Sequence, residues 1–215
     1  MQYRNVVFDV GHVLLSYRWH GMMMDYGLSE EEAHAFHRMM FDDPLWLEFD
    51  LENWSYEEVA AKFIQKNPQH AEEIRYFLYH REKMPIARPG VYERVERLME
   101  EGVRIYILSN YSSVMFADHT KLIPFMDRLS GKMVSSQIHI GKPDRRIYEA
   151  LYRECDILPE ESLFFDDRPE NIKGAEATGM DAILVTSETM LEETLDRLLA
   201  GEYRVFPDFD GDGSE

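Results

Sequence analysis

The run Val6-Val7-Phe8-Asp9-Val10-Gly11 is a short β-branched and aromatic stretch that breaks at a carboxylate. Its brevity and its β-branched and aromatic content predict a strand. An Asp at the end of such a strand is costly to bury unless it is paired or bound to a metal, and a glycine two positions on lets the backbone come close to a ligand. Working outward, Val103-Arg104-Ile105-Tyr106-Ile107-Leu108, Leu163-Phe164-Phe165 and Ala182-Ile183-Leu184-Val185 have the same character, with Met133-Val134 as a fifth, shorter candidate. Between them lie helix-period segments. Val91, Val95, Leu98 and Met99 follow Pro89-Gly90 and stop at Gly102, Ile147, Tyr148 and Leu151 follow Pro143, and Asn171 to Thr178 stops at Gly179. Strands alternating with helices imply an α/β fold, a Rossmann-like parallel sheet flanked by helices, whose ligands sit at the carboxyl ends of the strands.

The first crossover is too long for that pattern. Roughly 90 residues separate Val10 from Val103, whereas a parallel connection needs about a dozen. Residues 16–85 are crowded with Met, His, Trp and Glu, contain no period-2 run, and carry helical patches at Glu30 to Met40 after Ser29 and at Tyr56 to Gln65 after Ser55, each serine a candidate N-cap. The expected organisation is therefore a core of residues 1–15 and 86–206, an inserted α-helical cap over 16–85, and an acidic tail over 207–215. The tail starts like a calcium loop at Asp208, Asp210 and Asp212 but ends before the bidentate acid such a loop needs, so it is expected to be disordered. Met22-Met23-Met24 and Met39-Met40 are read as adaptable packing.

Composition narrows the function. Of 215 residues, 45% are hydrophobic and 13% aromatic, enough for a core, while 23 Lys and Arg against 41 Asp and Glu leave a net charge of −18. That field repels phosphate backbones and acidic lipid surfaces, so neither nucleic acid nor membrane is an expected partner. Cys155 stands alone, which excludes an internal disulfide and suits a reducing compartment; it is read as a packed thiol. The N-terminal stretch has neither the basic segment nor the apolar segment of a signal peptide, and a cytoplasmic protein is expected.

The chemistry-bearing residues fall at strand ends. Asp9 ends the first strand, Ser109-Asn110 follows the second long one, Asp166-Asp167 ends Leu163 to Phe165, and Lys142 comes from the loop between Gly141 and Pro143. Each alone is a turn former, a cap or a solvated charge. Together, two adjacent carboxylates facing a third repel, and a hard divalent cation with oxygen ligands resolves the repulsion. Mg²⁺ is the expected ion, with Lys142 offsetting the remaining charge. Such a site is suited to hold a phosphoryl group beside a carboxylate.

The series Phe8-Asp9-Val10-Gly11-His12-Val13, Leu108-Ser109-Asn110, Gly141-Lys142-Pro143 and Phe164-Phe165-Asp166-Asp167-Arg168-Pro169-Glu170-Asn171 resembles the four ordered motifs of the haloacid dehalogenase superfamily over nearly the whole chain. The Asp-x-Gly-x-Val first motif, the Asp-Asp-x-x-x-Asn last motif and the helical insertion are similar to the branch that includes bacterial α-glucose-1-phosphate phosphatases. The resemblance implies a Mg²⁺-dependent phosphatase acting on a small phosphorylated metabolite, a sugar 1-phosphate for example. It implies Asp9 as the nucleophile that forms an aspartyl phosphate, with Lys142 orienting it. The metal ligands would be Asp9, the Gly11 carbonyl and Asp167, with Asp166 and Asn171 supporting them. Gly11, His12, Ser109, Asn110 and Lys142 would hold the phosphate oxygens.

Gly11 stands where most phosphatases of the superfamily carry a second Asp as general acid and base. Either leaving-group protonation comes from elsewhere, with His12 as a proton shuttle, or the substrate has a good leaving group. Two alternatives share much of the pattern: a haloacid dehalogenase, which needs no metal, and a phosphometabolite-binding protein without turnover. Arg18, His20, Trp46, Asp50 and Trp54 are candidates for the mouth of the site, with a core role open for each tryptophan.

Overall fold

The computed structural model describes residues 3–202; the expected acidic tail at 207–215 lies outside them. Seven strands are found among the described residues: β1 (Asn5–Phe8), β2 (Leu15–Tyr17), β3 (Pro85–Ala87), β4 (Arg104–Ser109), β5 (Gly131–Val134), β6 (Ser162–Asp166) and β7 (Asp181–Leu184). Five of them form one sheet in the order β5-β4-β1-β6-β7, and every neighbouring pair is parallel. This is the parallel sheet flanked by helices expected from strands alternating with helices, and β1 is buried along its whole length. The strands register Phe8 opposite Ile107 on one side and Phe165 on the other, and Phe8 stacks on Phe165 with ring centroids 5.3 Å apart.

Between β2 and β3 the chain forms α1 (Trp19–Tyr26), α2 (Glu30–Phe41), α3 (Pro44–Asp50), α4 (Tyr56–Lys66) and α5 (Ala71–Tyr79). Ser29 and Ser55 cap α2 and α4, and each makes a reciprocal capping box, with Glu32 and Glu58 respectively. The helices pack by aromatic contact: Trp46 meets Phe41 at 4.2 Å and Phe49 at 5.4 Å between ring centroids, a core role. Trp54 stays exposed, with Lys62 over its ring.

The remaining helices are α6 (Pro89–Glu100), α7 (Ser113–His119), α8 (Ser135–Ile138), α9 (Arg145–Cys155), α10 (Pro169–Glu176) and α11 (Glu188–Leu199). Helices α6 and α11 pack on each other, burying Val91, Val95, Leu98, Leu191, Leu195 and Leu198. Helix α9 buries Ile147, Tyr148 and Leu151 with Phe164 and Tyr106 of the sheet. Cys155 is half-buried, and burial pushes its thiol pKa up, as suits a packed residue. No helix among the described residues is long and apolar enough to cross a membrane.

The stretch without period-2 alternation nevertheless begins and ends in strands. β2 and β3 pair antiparallel, Leu15 with Ala87 and Tyr17 with Pro85. At three residues each they are too short for alternation to register, and both expected boundaries, 15/16 and 85/86, fall inside them.

Candidate active site

The three central strands, β4, β1 and β6, end side by side, which places Ser109, Asp9 and Asp166 in a row along the carboxyl edge. Asp9 sits in the middle, its backbone N–H donating to Phe165 O at 2.9 Å. The Ser109 hydroxyl donates to Asp9 Oδ1 at 2.6 Å, and Lys142 Nζ lies 2.9 Å from the same oxygen.

Lys142 is fixed from both ends. Asn110 Oδ1 accepts the Lys142 backbone N–H at 2.7 Å, and Asn110 Nδ2 donates to the Lys142 carbonyl at 2.9 Å. Gly141 allows this closeness, since a Cβ there would stand 3.0 Å from Asn110 Oδ1. At the other end the ammonium meets Asp9, Asp166 Oδ2 at 2.5 Å and Leu108 O at 2.9 Å. Those three contacts use all of its donors, so a contact with phosphate requires one of them to be exchanged. Burial alone would lower the lysine pKa; Asp166 and Asp9 outweigh it and hold the group charged.

The two acids of the last motif have different surroundings. Asp166 is fully buried and saturated: Asn171 Nδ2 donates to both of its oxygens at 2.9 and 3.1 Å, and the Arg168 N–H donates to Oδ1 at 2.8 Å. Asp167 is half-buried and, with His12, Arg88, Leu184, Val185 and Ser187, lines a cleft of about 490 Å³. Burial raises both carboxyls above the usual range; Asp166 raises Asp167 further, and His12 opposes it. One carboxylate oxygen from each of Asp9, Asp166 and Asp167 lies within 4.8 Å of the other two. Oxygen donors alone, on repelling carboxylates, suit a hard divalent cation.

The loop after Asp9 is held from a distance. His12 adopts φ 55, the left-handed region, and Arg88 Nη1 donates to its carbonyl at 2.8 Å and to that of Val13 at 3.1 Å. Gly11 faces Tyr17, whose hydroxyl would lie 3.3 Å from a Cβ at position 11. That hydroxyl starts a chain: it is 2.5 Å from the Tyr111 hydroxyl, which is 2.7 Å from His119 Nδ1, while His119 Nε2 is 3.0 Å from Arg81 O. A carbonyl can only accept, so Nε2 carries the proton, Nδ1 accepts from Tyr111, and Tyr17 donates to Tyr111. Burial keeps His119 neutral, with its pKa lowered to about 4, and pushes both tyrosines up. Asp50, the last residue of α3, also reaches this region. Its carboxyl accepts from the Ser112 backbone, and burial, with Asp9 nearby, holds its pKa well above the carboxylate range.

Every residue expected at the site from sequence thus lies at or beside this edge. Tyr17, Arg88, Tyr111 and His119 join it unannounced. Of the expected mouth residues, Arg18 instead pairs with Asp25 at 2.6 Å, and His20 packs on His34.

The model of the haloacid dehalogenase-like hydrolases matches residues 3–179. Among curated proteins the chain is 31% identical over 118 residues to a glyceraldehyde 3-phosphate phosphatase of Methanothermobacter thermautotrophicus, a match covering 51% of this chain and 50% of that protein. The chain spans about half the length of the curated relatives it matches. Among solved structures, a HAD-like family hydrolase from Porphyromonas gingivalis superposes with a TM-score of 0.72 at 20% identity, covering 93% of this chain and 98% of that one. An enzyme of the same family from Bacteroides thetaiotaomicron, solved with magnesium and inorganic phosphate, superposes at 0.65 with 17% identity over 86% of this chain and 95% of that one.

Proposed function

Given that the chain belongs to the haloacid dehalogenase-like hydrolase family, we propose that it is a magnesium-dependent phosphatase of small phosphorylated metabolites. The observation that carries this reading is one buried lysine set among carboxylates from two neighbouring strands, with a further carboxylate, Asp167, in the adjoining cleft. A dehalogenase gains nothing from Asp167, which would repel its carboxylate substrate. The relatives named as phosphatases favour the same choice.

Asp9 is the nucleophile. Ser109 and Lys142 fix its Oδ1, and attack on phosphorus forms an aspartyl phosphate as the bond to the leaving oxygen breaks; water then hydrolyses it. Asp9, the Gly11 carbonyl and Asp167 would hold Mg²⁺. When bound, the ion neutralises charge on the phosphoryl oxygens. Asp166 and Asn171 hold Lys142 and the metal acids in place, while Gly11, His12, Ser109, Asn110 and Lys142 receive the phosphate. Residues 1–15 and 86–206 are the catalytic core and residues 16–85 its cap, a division favoured by the reach of Tyr17 and Asp50 to the site. Magnesium-dependent phosphate release from p-nitrophenyl phosphate tests the whole reading; a chloroacid should give nothing. Thermal stabilisation by phosphate without turnover would instead mean a binding protein.

The different surroundings of the paired acids give a prediction. Asp167→Ala should weaken magnesium activation by at least about 10-fold, whereas Asp166→Ala, which takes one of three partners from the buried Lys142 and both side-chain acceptors from Asn171 Nδ2, should lower the melting temperature more. Magnesium titration of activity beside a thermal melt separates the two, and the reverse order would exchange their roles.

The finer reading is a substrate with a good leaving group, such as a sugar 1-phosphate. It rests on Gly11 and on Tyr17, whose hydroxyl and ring edge would stand 3.3 and 3.4 Å from a Cβ there and whose proton is committed to Tyr111. Rates across aryl phosphates should fall steeply as the leaving group becomes more basic, and a Gly11→Asp variant, which needs Tyr17 to give slightly, should flatten that slope. One observation favours a second reading: burial, with Asp9 nearby, raises the Asp50 carboxyl well above the usual carboxylate range, which suits it to donate a proton. In that case wild type shows a shallow slope, and Asp50→Asn costs about 10²- to 10⁴-fold on poor leaving groups only.

A further inference from the structure

Apart from the acidic edge, α1 and α2 bring together a different donor set. His20 from α1 meets Glu30 and His34 from α2, and one ligand atom from each lies within 4.8 Å of the other two. Glu30 and His34 are four residues apart and therefore share a helix face. The imidazoles of His20 and His34 lie against each other with centroids 4.6 Å apart and planes 29° apart. Trp19 backs both rings at 5.5 and 5.9 Å, and is itself fixed by His37 stacked on it at 3.9 Å. His20 Nε2 is buried and has no hydrogen-bond partner, an arrangement that natural structures avoid unless something fills it.

We propose that His20, Glu30 and His34 form a second cation site, for a transition metal of the zinc class. Two imidazoles and one carboxylate are a donor set that zinc takes with a position left open, and imidazole nitrogens select zinc, nickel or copper over magnesium, which keeps to oxygen. Tetrahedral ligands about 2.0–2.1 Å from zinc stand about 3.3 Å from one another, so the side chains need to close in by at most about 1.5 Å. Glu30 and His34 are exposed and His20 is half-buried, which gives the ion an entry path. A bound ion pins α1 to α2 across the turn at Gly27.

The test uses the whole protein, stripped with a chelator and dialysed, then titrated calorimetrically with Zn²⁺ in excess Mg²⁺, with Co²⁺ absorption as a second readout. One zinc equivalent is expected, together with a rise in melting temperature. His20→Ala and His34→Ala should each weaken binding by at least about 10- to 100-fold, the loss seen when a mere supporting partner is removed, and should abolish the rise. The metal-free melt of His34→Ala should match wild type, because that side chain is exposed; His20 is half-buried against Trp19 and His34, so His20→Gln, which keeps more of the packing, serves if the alanine variant melts lower. Asp167→Asn should keep the zinc equivalent. The proposal is overturned if both histidine variants bind as wild type does, if Asp167→Asn loses the zinc, or if no zinc binds at all.

Discussion

Asp9→Asn should lower phosphate release by roughly 10⁴- to 10⁶-fold, the scale on which enzymes lose rate when their nucleophile is removed, while leaving the protein folded. The reason lies in how little else changes. The Asp9 side chain is 11% exposed, and Ser109 and Lys142 both address Oδ1; an amide oxygen can accept from the same two donors. What disappears is the anionic oxygen that attacks phosphorus. A chase with labelled substrate should trap a phosphoenzyme in wild type and none in the variant, and the circular dichroism and cooperative melt should persist. A variant that keeps half the wild-type rate would rule out the covalent route.

Lys142→Met should cost about 3–5 kcal/mol of stability, the penalty for removing one partner of a buried ion pair, and should remove most of the turnover with it. The lysine is the cation joining Asp9 to Asp166, and its side chain is 1% exposed. The sign of the pH dependence follows. Burial already raises Asp166 above the usual carboxylate range, and Lys142 is the main opposing influence. Without the lysine the folded-state pKa rises further above the unfolded value of about 3.9. Stability is therefore full below that value and is lost as pH rises through the folded value. Denaturant melts at falling pH should show the variant recovering towards wild type, and millimolar magnesium at neutral pH should do the same by supplying positive charge. A variant equally weak at every pH, with or without magnesium, would show that the lysine stem rather than its charge supports the fold.

The strand ends were legible because a short apolar run that breaks at Asp9, Ser109 or Asp166 leaves few other readings, and a parallel sheet aligns such breaks along one edge. Lys142 was legible from its loop, although its clamp by the Asn110 side chain was not. The Tyr17, Tyr111 and His119 chain stayed hidden. Its members are separated by up to about a hundred positions, two of them look like ordinary buried aromatics, and only packing brings them together. Arg88 was hidden likewise, since a buried arginine that serves two carbonyls has no local signature. Helix α11 is a different case: Ser187 caps it, and Leu191, Leu195 and Leu198 repeat at helical spacing, so its signal is present in the sequence.

The pairing of β2 with β3 has an evolutionary meaning. Because the chain departs and returns on adjacent antiparallel strands, with Leu15 across from Ala87, everything threaded between them hangs on a two-strand stem whose ends stand about 5 Å apart. Lengthening, trimming or exchanging that cargo leaves the parallel sheet and its row of strand termini undisturbed. Tyr17, sitting on the stem itself and facing Gly11, and Asp50, at the end of α3, are residues through which a change of cargo would be felt at the reacting centre. Selection for new substrates can therefore act on the helices, subject to constraints at the root of the stem and at Asp50, where α3 reaches the site.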